Sequence, residues 1–535
     1  MKPQYYIWIF LIILFTSFAF GGAEPWGLLL FNIACSGLGL FILFKHNKFY
    51  FTGVSKTILG LLCFIILLAL VQVLNQHNFL QKPAFLPFTL CRYYTFEGLS
   101  LLFSLTLFYF ALSQIVEKTK EIKIIALFIT IVAVIISLIG ITWHNGEYIA
   151  LFTGVSRFSS FASFTSRNHG SQFLLASFFL SLFLWLPHFL FDVKKRLPYK
   201  NIWFFTFSII LFIGVFFTHS RGGVIALLLG LGVLTILCGT FIIKKKTIKL
   251  LTIGTSAILF AGLIILVIQH STAIGLRQFG GFSDKSRLLL YSAAFDMLKD
   301  FPWTGVGFDA FSGAIDAYLK VSLKAFPRYL HNDWLELLLS FGYVYGTIIF
   351  ATIALIAFKI AKLFKGLEPK KKVRLAILCS GLVGFCFTGI IDFPFHLPVC
   401  AFLFFCLLAF ATARTFDNRI RTGKIPFLLK IIVSCVALGL IAVNIQYFRT
   451  WRSFVFARKL APLSQIEMIS EHLNNYPSPI FVKRVLLANY KISKDKNLSE
   501  ETRQKQKEKT HKLAEAYLLK YPKDKEISQF FILTR

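Results

Sequence analysis

Apolar runs recur along almost the whole chain, each about as long as the 20 residues a helix needs to cross a hydrocarbon core near 30 Å. They fall near 6–22, 26–44, 57–75, 97–116, 122–142, 170–191, 201–218, 222–243, 248–268, 335–361, 373–391, 396–414 and 426–447. Inside lipid a backbone finds no water to bond, so runs of this kind must satisfy their own amides and become helices. Composition agrees, since 56% of the residues are hydrophobic and 63 are Phe, more than one soluble core requires. The expectation is an all-α polytopic membrane protein with about thirteen transmembrane helices. Its first run follows Lys2 and has the outline of a signal peptide, but with so many later spans it reads as a retained anchor.

The formal net charge of +32 does not point to nucleic acid, because the basic residues sit in short clusters between apolar runs, where positive charge fixes orientation. Threading the runs puts Lys45, Lys48 and Lys56, then Lys118, Lys120 and Lys123, then Lys194, Lys195, Arg196 and Lys200 on one side. Lys244, Lys245, Lys246 and Lys249, the stretch Lys362 to Arg374, and the stretch Arg414 to Lys424 join them. The opposite short loops hold only Lys82, Arg92, Arg157, Arg167 and Arg221. The crowded side is expected to be the cytoplasm, with the amino terminus inside and, after an odd number of spans, the carboxyl terminus outside. The nine cysteines lie almost entirely in apolar runs without CxxC spacing and read as small packing residues.

Two outer segments, 143–169 and 269–334, are too long to be simple connectors. The tail 448–535 is polar, with helical apolar spacing in Ile466 to Leu473, Phe481 to Tyr490 and Leu513 to Leu519. Tyr476-Pro477 and Tyr521-Pro522 give it a degenerate tetratricopeptide-like look. The expected organisation is a membrane domain, 1–447, that includes the loop 269–334, followed by an extracytoplasmic helical-hairpin tail, 448–535.

A transporter should carry ionisable groups at mid-membrane and show internal repeats with broken helices. Here the polar residues gather instead at outer helix ends: Ser166-Arg167-Asn168-His169, His219-Ser220-Arg221-Gly222-Gly223, Ser286-Arg287, His331-Asn332-Asp333 and Asp392-Phe393-Pro394-Phe395-His396. Each alone has a structural reading. An outer Arg167 or Arg221 can snorkel to lipid phosphate, Asn168 or His331 can sit at a helix cap, and Asp392 with Pro394 can make a turn. His396 reads as an interfacial ring without a chemical role, and Gly222, Gly223, Gly342 and Gly346 as close-packing positions. What links the clusters is their common side and their chemistry: arginine forks suit phosphate oxygens and histidine exchanges protons near neutral pH.

Several of these stretches resemble the O-antigen ligase and O-antigen polymerase superfamily of bacterial envelope glycosyltransferases. Gly21-Gly22-Ala23-Glu24-Pro25-Trp26 is similar to a segment of its first outer loop, Phe164-Thr165-Ser166-Arg167-Asn168-His169 to its Asn-Arg-Asn-His pattern, and Thr218-His219-Ser220-Arg221-Gly222-Gly223 to its Ser-Arg-Gly pattern. The longest resemblance runs from Ser286-Arg287-Leu288 through Pro302-Trp303-Thr304-Gly305-Val306-Gly307 to His331-Asn332, Gly342 and Gly346, and is like the large periplasmic loop of the ligases. Tyr345 departs from it, standing where ligases often carry Thr or Val, which weighs toward a polymerase. Asp392-Phe393-Pro394-Phe395-His396-Leu397-Pro398 resembles a further pattern, and the tail lies outside the resemblance.

The resemblance implies an enzyme of the bacterial inner membrane that transfers a glycan from undecaprenyl diphosphate to an acceptor hydroxyl, with inversion and without a nucleotide sugar, cofactor or metal. The acceptor would be lipid A core or a growing polysaccharide, and the tail could engage a protein partner. Such a reaction needs cations on the diphosphate, expected from Arg221 and Arg287, and a base at the acceptor, expected from His331. Arg167, Asn168, His169, Asn332 and Asp392 are the expected substrate-binding residues. No Asp-x-Asp occurs on the outer face, and Asp284, Asp296, Asp300, Asp309 and Asp316 are scattered, which disfavours a carboxylate-held ion. Alternatives are a protein O-oligosaccharyltransferase of the same superfamily, a lipid or polysaccharide flippase, and a scaffold organised by the tail. The stripe Leu288 to Phe295 is expected to place Arg287 at the start of an amphipathic helix on the membrane surface.

Overall fold

The computed structural model describes residues 2–77, 85–143, 146–153, 160–191, 199–269, 284–319, 327–417 and 419–457. In the tail it describes 482, 485–486, 489–490, 492–494, 499–520, 527–528 and 531–532. Helices dominate, as the apolar runs require. In chain order they are α1 (Lys2–Phe18), α2 (Pro25–Lys45), α3 (Gly53–Leu74), α4 (Arg92–Ile115), α5 (Thr119–Thr142), α6 (Glu147–Thr153), α7 (Arg167–Phe191), α8 (Tyr199–Phe217), α9 (Arg221–Ile242) and α10 (Lys246–Gln269). Then follow α11 (Asp284–Asp300), α12 (Phe311–Ala314), α13 (Asp333–Leu363), α14 (Pro369–Ile391), α15 (Pro398–Ala411), α16 (Phe427–Ala457) and α17 (Glu500–Lys520).

Ten of these helices are long and apolar enough to cross a bilayer: α2 to α5, α7, α9, α10, α13, α14 and α16. Shorter apolar helices at Pro3–Phe18, Ile202–Phe217 and Pro398–Ala411 occupy the other three expected segments. The protein is an integral membrane protein of polytopic helical type.

The helices pack through small residues, as expected where lipid tails are as apolar as the side chains and close contact supplies the attraction. A Cβ on Gly384 of α14 would stand 2.9 Å from the Ala226 carbonyl of α9, and one on Gly230 would stand 2.6 Å from Phe179 of α7. Gly223 admits Ser171 in the same way, in keeping with its reading as a packing glycine. Hydroxyls join α7 to α8 where Ser181 and Ser208 stand 2.7 Å apart.

The two ends of the bundle differ. At one end a two-stranded antiparallel sheet pairs β1 (Phe49–Thr52) with β2 (Ile420–Gly423). Around it lies a cavity of about 550 Å³ lined by Lys56, Lys359, Lys362, Arg419 and Arg421, so residues of three expected cytoplasmic clusters do share one end. At the other end Gly21 and Gly22, both at positive φ, turn α1 into α2 against Phe164, Leu397 and Pro398.

That second end carries the described parts of the loop 269–334. Leu290, Ala293, Ala294, Met297 and Leu298 of α11 are buried in a separate small core with Phe88, Phe301, Val306, Phe311 and Leu330, while Leu288 and Phe295 face outward. The expected apolar stripe is therefore divided, one part packing the loop and the other left exposed.

Gly342 interrupts α13 with φ 65° and ψ −173°. The backbone groups freed there are taken by the Pro302–Gly307 segment. The Tyr343 amide donates to the Pro302 carbonyl at 2.7 Å, and the Val306 amide donates to the Leu339 carbonyl at 3.0 Å. Gly342 and Gly305 thus serve a break in the helix and a backbone crossing, a role beyond the close packing expected of Gly342. Gly305 has φ 70°, and a Cβ there would collide with the Leu339 carbonyl and stand 2.7 Å from the Gly342 amide. Gly305→Ala is expected to lower stability by about 2 kcal/mol or more, with the left-handed backbone alone costing about 1–2 kcal/mol. Folded yield and thermal unfolding in detergent check it.

Among described tail residues, α17 contributes Ala514 and Tyr517 to a core shared with Val482, Val485, Leu486 and Ile527. This is helical packing of modest size. The expected segments Ile466 to Leu473, Tyr476-Pro477 and Tyr521-Pro522, and Lys82, Arg157, Lys194, Lys195 and Arg196, lie outside the described residues.

Candidate functional site

His331 stands just before α13 with φ 58°, in the left-handed region that a residue with a Cβ seldom occupies unless its surroundings hold it there. Two contacts hold it. The Tyr291 hydroxyl of α11 donates to the His331 carbonyl at 3.0 Å, and the His331 Nδ1 lies 2.9 Å from Asp392 Oδ1. Asp392 closes the carboxyl end of α14 and is 2% exposed. Burial would raise its carboxyl, but the bond to His331 and the nearby charges of His169 and Arg287 outweigh that and bring it down to about 2. Since the folded value lies below the ordinary aspartate value of about 4, this pairing stabilises the fold above that pH. Its contribution is lost only as pH falls from there toward about 2.

With Asp392 ionised, the hydrogen on Nδ1 is fixed toward the carboxylate and the His331 Nε2 is left as a proton acceptor. Phe393 packs edge-on to the ring with centroids 4.8 Å apart. His169 approaches the same Phe393 at 4.9 Å, and Gln172 Nε2 reaches Asp392 Oδ2 at 3.4 Å.

Arg287, on the first turns of α11, is close enough to act on Asp392, and Arg167, at the start of α7, is close enough to Arg287 for the two guanidinium groups to repel. Arg287 Nε is buried without a hydrogen-bond partner, as are both ring nitrogens of His169 and Gln172 Oε1. Buried polar atoms left unpaired are uncommon in native proteins, and a cluster of them beside two like charges is the environment an anionic ligand would complete.

Arg221 is the first residue of α9. Its neighbour Ser220 caps the helix by accepting from the Gly223 amide at 3.2 Å and donates its hydroxyl to Asn168 Oδ1 at 2.8 Å. Its other neighbour, Gly222, packs against Ile391, the residue before Asp392. Arg221 therefore stands on the same rim as the dyad.

Asn168 and Asn332, both expected to bind substrate, have structural engagements. Asn168 holds Ser220, and Asn332 Oδ1 caps α13 by accepting from the Leu335 amide at 3.0 Å, the cap position otherwise open to His331.

A second cluster escaped the sequence reading. His396 does have a role, since its Nδ1 lies 2.9 Å from Asp333 Oδ1, and its Nε2 lies 3.4 Å from Asp309 Oδ1 and 3.6 Å from Glu336 Oε1. Burial opposes its charge, but Glu336, Asp309 and Asp333 outweigh it and hold the imidazole well above its ordinary range. Arg328 extends the network, with Nη2 3.0 Å from Asp309 Oδ2 and 3.1 Å from Glu97 Oε2 and its guanidinium 3.8 Å from the centre of the Tyr94 ring. Asp333 and His396 belong to polar clusters at outer helix ends, but nothing in the spacing indicates that these residues meet, because they come from five separate stretches of chain.

Fold and site together define a polytopic helical membrane protein with a cationic, histidine-bearing centre at one end of its bundle. Residues 206–351 match the family model described as O-antigen ligase, which supports kinship with that superfamily of membrane glycosyltransferase-type enzymes. The match contains Arg221, Arg287 and His331; Arg167, Asn168, His169, Asp392 and His396 lie outside it. No curated protein matches the chain.

Proposed function

We propose that the protein transfers a glycan from undecaprenyl diphosphate to an acceptor hydroxyl at the outer face of the bacterial inner membrane. The observation that carries this reading is the His331–Asp392 pair, 2.9 Å apart, beside the mutually repelling Arg167 and Arg287 and an unpartnered buried Arg287 Nε.

In the proposed step the acceptor oxygen attacks the anomeric carbon from the side opposite the diphosphate. As the new carbon–oxygen bond forms, the bond from that carbon to the diphosphate oxygen breaks, and its electron pair leaves with the lipid diphosphate. The configuration inverts. His331 Nε2 takes the hydroxyl proton while Asp392 stabilises the imidazolium. Arg287 and Arg221, aided by Arg167, receive the charge that builds on the diphosphate, so no metal ion is required at the phosphates. The exposed Leu288 and Phe295 on α11 would set this centre at the depth of the lipid headgroups. The basic end of the bundle, with its β1–β2 pair, would face the cytoplasm, and the tail would lie outside and present a surface to a protein partner.

Deleting the gene and resolving envelope glycolipid on a gel tests the reading. Loss of all long chains on the core assigns a ligase, and core bearing a single repeat unit assigns a polymerase. Unchanged glycolipid together with loss of glycan from an envelope protein would assign protein O-glycosylation. If every glycan persists unaltered, glycan transfer is the wrong function. Asp392→Asn in stably inserted protein is expected to lower transfer about 100-fold, because an amide no longer stabilises the imidazolium; activity within a few-fold of the parent would remove Asp392 from this role.

A further inference from the structure

The four carboxylates Glu97, Asp309, Asp333 and Glu336 meet two cationic side chains, Arg328 and His396, in the network at the foot of the outer loop. Asp309, Asp333 and Glu336 have side chains only 3–5% exposed, so water does little to solvate these carboxyl groups. Glu336 gives the imbalance a direction. Its Oε2 accepts from the Leu330 amide at 2.9 Å, whereas its Oε1 is buried with no hydrogen-bond partner and faces His396 Nε2.

We propose that Asp309, Glu336 and His396 bind one divalent cation of the zinc class. One ligand atom from each lies within 4.8 Å of the other two, and His396 Nε2 stands 3.4 Å from Asp309 Oδ1 and 3.6 Å from Glu336 Oε1. Tetrahedral ligands at the 2.0–2.1 Å typical of zinc with nitrogen and oxygen stand about 3.4 Å apart, so small side-chain shifts complete the site. One imidazole and two carboxylates form a donor set suited to a borderline ion.

The supporting shell is already in place. Asp333 accepts from His396 Nδ1, which fixes the tautomer that presents Nε2 to an ion. Arg328 holds Asp309 by its other oxygen, Oδ2, at 3.0 Å. Binding displaces the proton from His396 Nε2 to solvent, and the ion's two charges then answer the surplus carboxylates.

The three ligands come from the loop, from α13 and from the α14–α15 connection. An ion there would clamp the loop to the bundle five residues along the chain from His331, at Glu336, without touching the diphosphate. Its role is to hold the loop, so it is separable from the transfer chemistry proposed above.

The test uses the full chain, purified in detergent, stripped with a chelator and titrated with Zn²⁺, with Co²⁺ absorption as a probe of the ligand environment. About one equivalent should bind, with a Co²⁺ spectrum of low-coordinate nitrogen and oxygen ligation. Glu336→Gln should weaken binding at least tenfold, as should Asp333→Asn, which leaves all three ligands intact and acts through His396. His331→Ala should bind as the parent does. Failure of the folded parent to bind, or binding unaltered by Glu336→Gln and Asp333→Asn, would overturn the proposal and leave an imidazolium among the carboxylates. Absence of the ion in a protein that still transfers glycan sinks the metal site alone, and loss of transfer with the ion bound sinks only the enzymatic reading.

Discussion

Replacing His331 with alanine is expected to lower glycan transfer by about 100- to 10,000-fold, the range over which a positioned base accelerates proton transfer. The acceptor hydroxyl is a poor nucleophile until its proton can leave, and within the dyad it is the His331 Nε2 that Asp392 does not engage. The measurement is turnover of a lipid-linked glycan donor by purified protein, alongside complementation of a deletion strain. His331→Gln separates base from bulk, since glutamine retains a polar side chain but cannot take the proton, and it should be as inactive as alanine. Substantial activity in either variant would remove the base from the mechanism.

Arg287→Ala is expected to cost about 100- to 1,000-fold in kcat, the range for losing one donor that meets developing charge, the role proposed for it. In the proposed step the effect should fall more on kcat than on KM, because a diphosphate leaving group would gain charge as its bond to the anomeric carbon breaks and the interaction would strengthen along that path. Arg287→Lys should recover only part of the loss, because lysine keeps the charge but loses the planar fork. The unpartnered Nε is the atom that distinguishes these outcomes. Were Arg287 only a packing residue for the loop, alanine and lysine would lower folded yield together and leave the turnover of the surviving protein unaltered.

The spanning helices were legible because a membrane imposes a one-dimensional rule: a run of apolar residues of sufficient length must close its own hydrogen bonds, whatever its neighbours are. The polar clusters were visible for a related reason. Arg287, His331 and Asp392 stand out as polar residues at helix ends in a chain this apolar. Their partnerships were not legible. His331 and Asp392 are 61 positions apart, and nothing in the spacing distinguishes that pair from His396 with Asp333, separated by 63. Asn332 shows the opposite limit: it read as a substrate-binding residue, with the cap reading given to His331, and the 3.0 Å contact to the Leu335 amide makes Asn332 the cap of α13.

Asp309, Glu336 and His396 show most clearly what linear reading loses. Along the chain Asp309 is one of several scattered acids and His396 an isolated ring; in space their ligand atoms fall within 4.8 Å. The device that joins them is the break in α13 at Gly342, where Pro302–Gly307 takes the freed backbone bonds and so seats the loop on the bundle. By itself, then, the sequence determined that the chain forms membrane-spanning helices and which segments supply them, because hydrophobic length is a local property. Only the tertiary structure decided which carboxylate serves which histidine, because a contact between distant segments depends on how the loop and helix ends pack together.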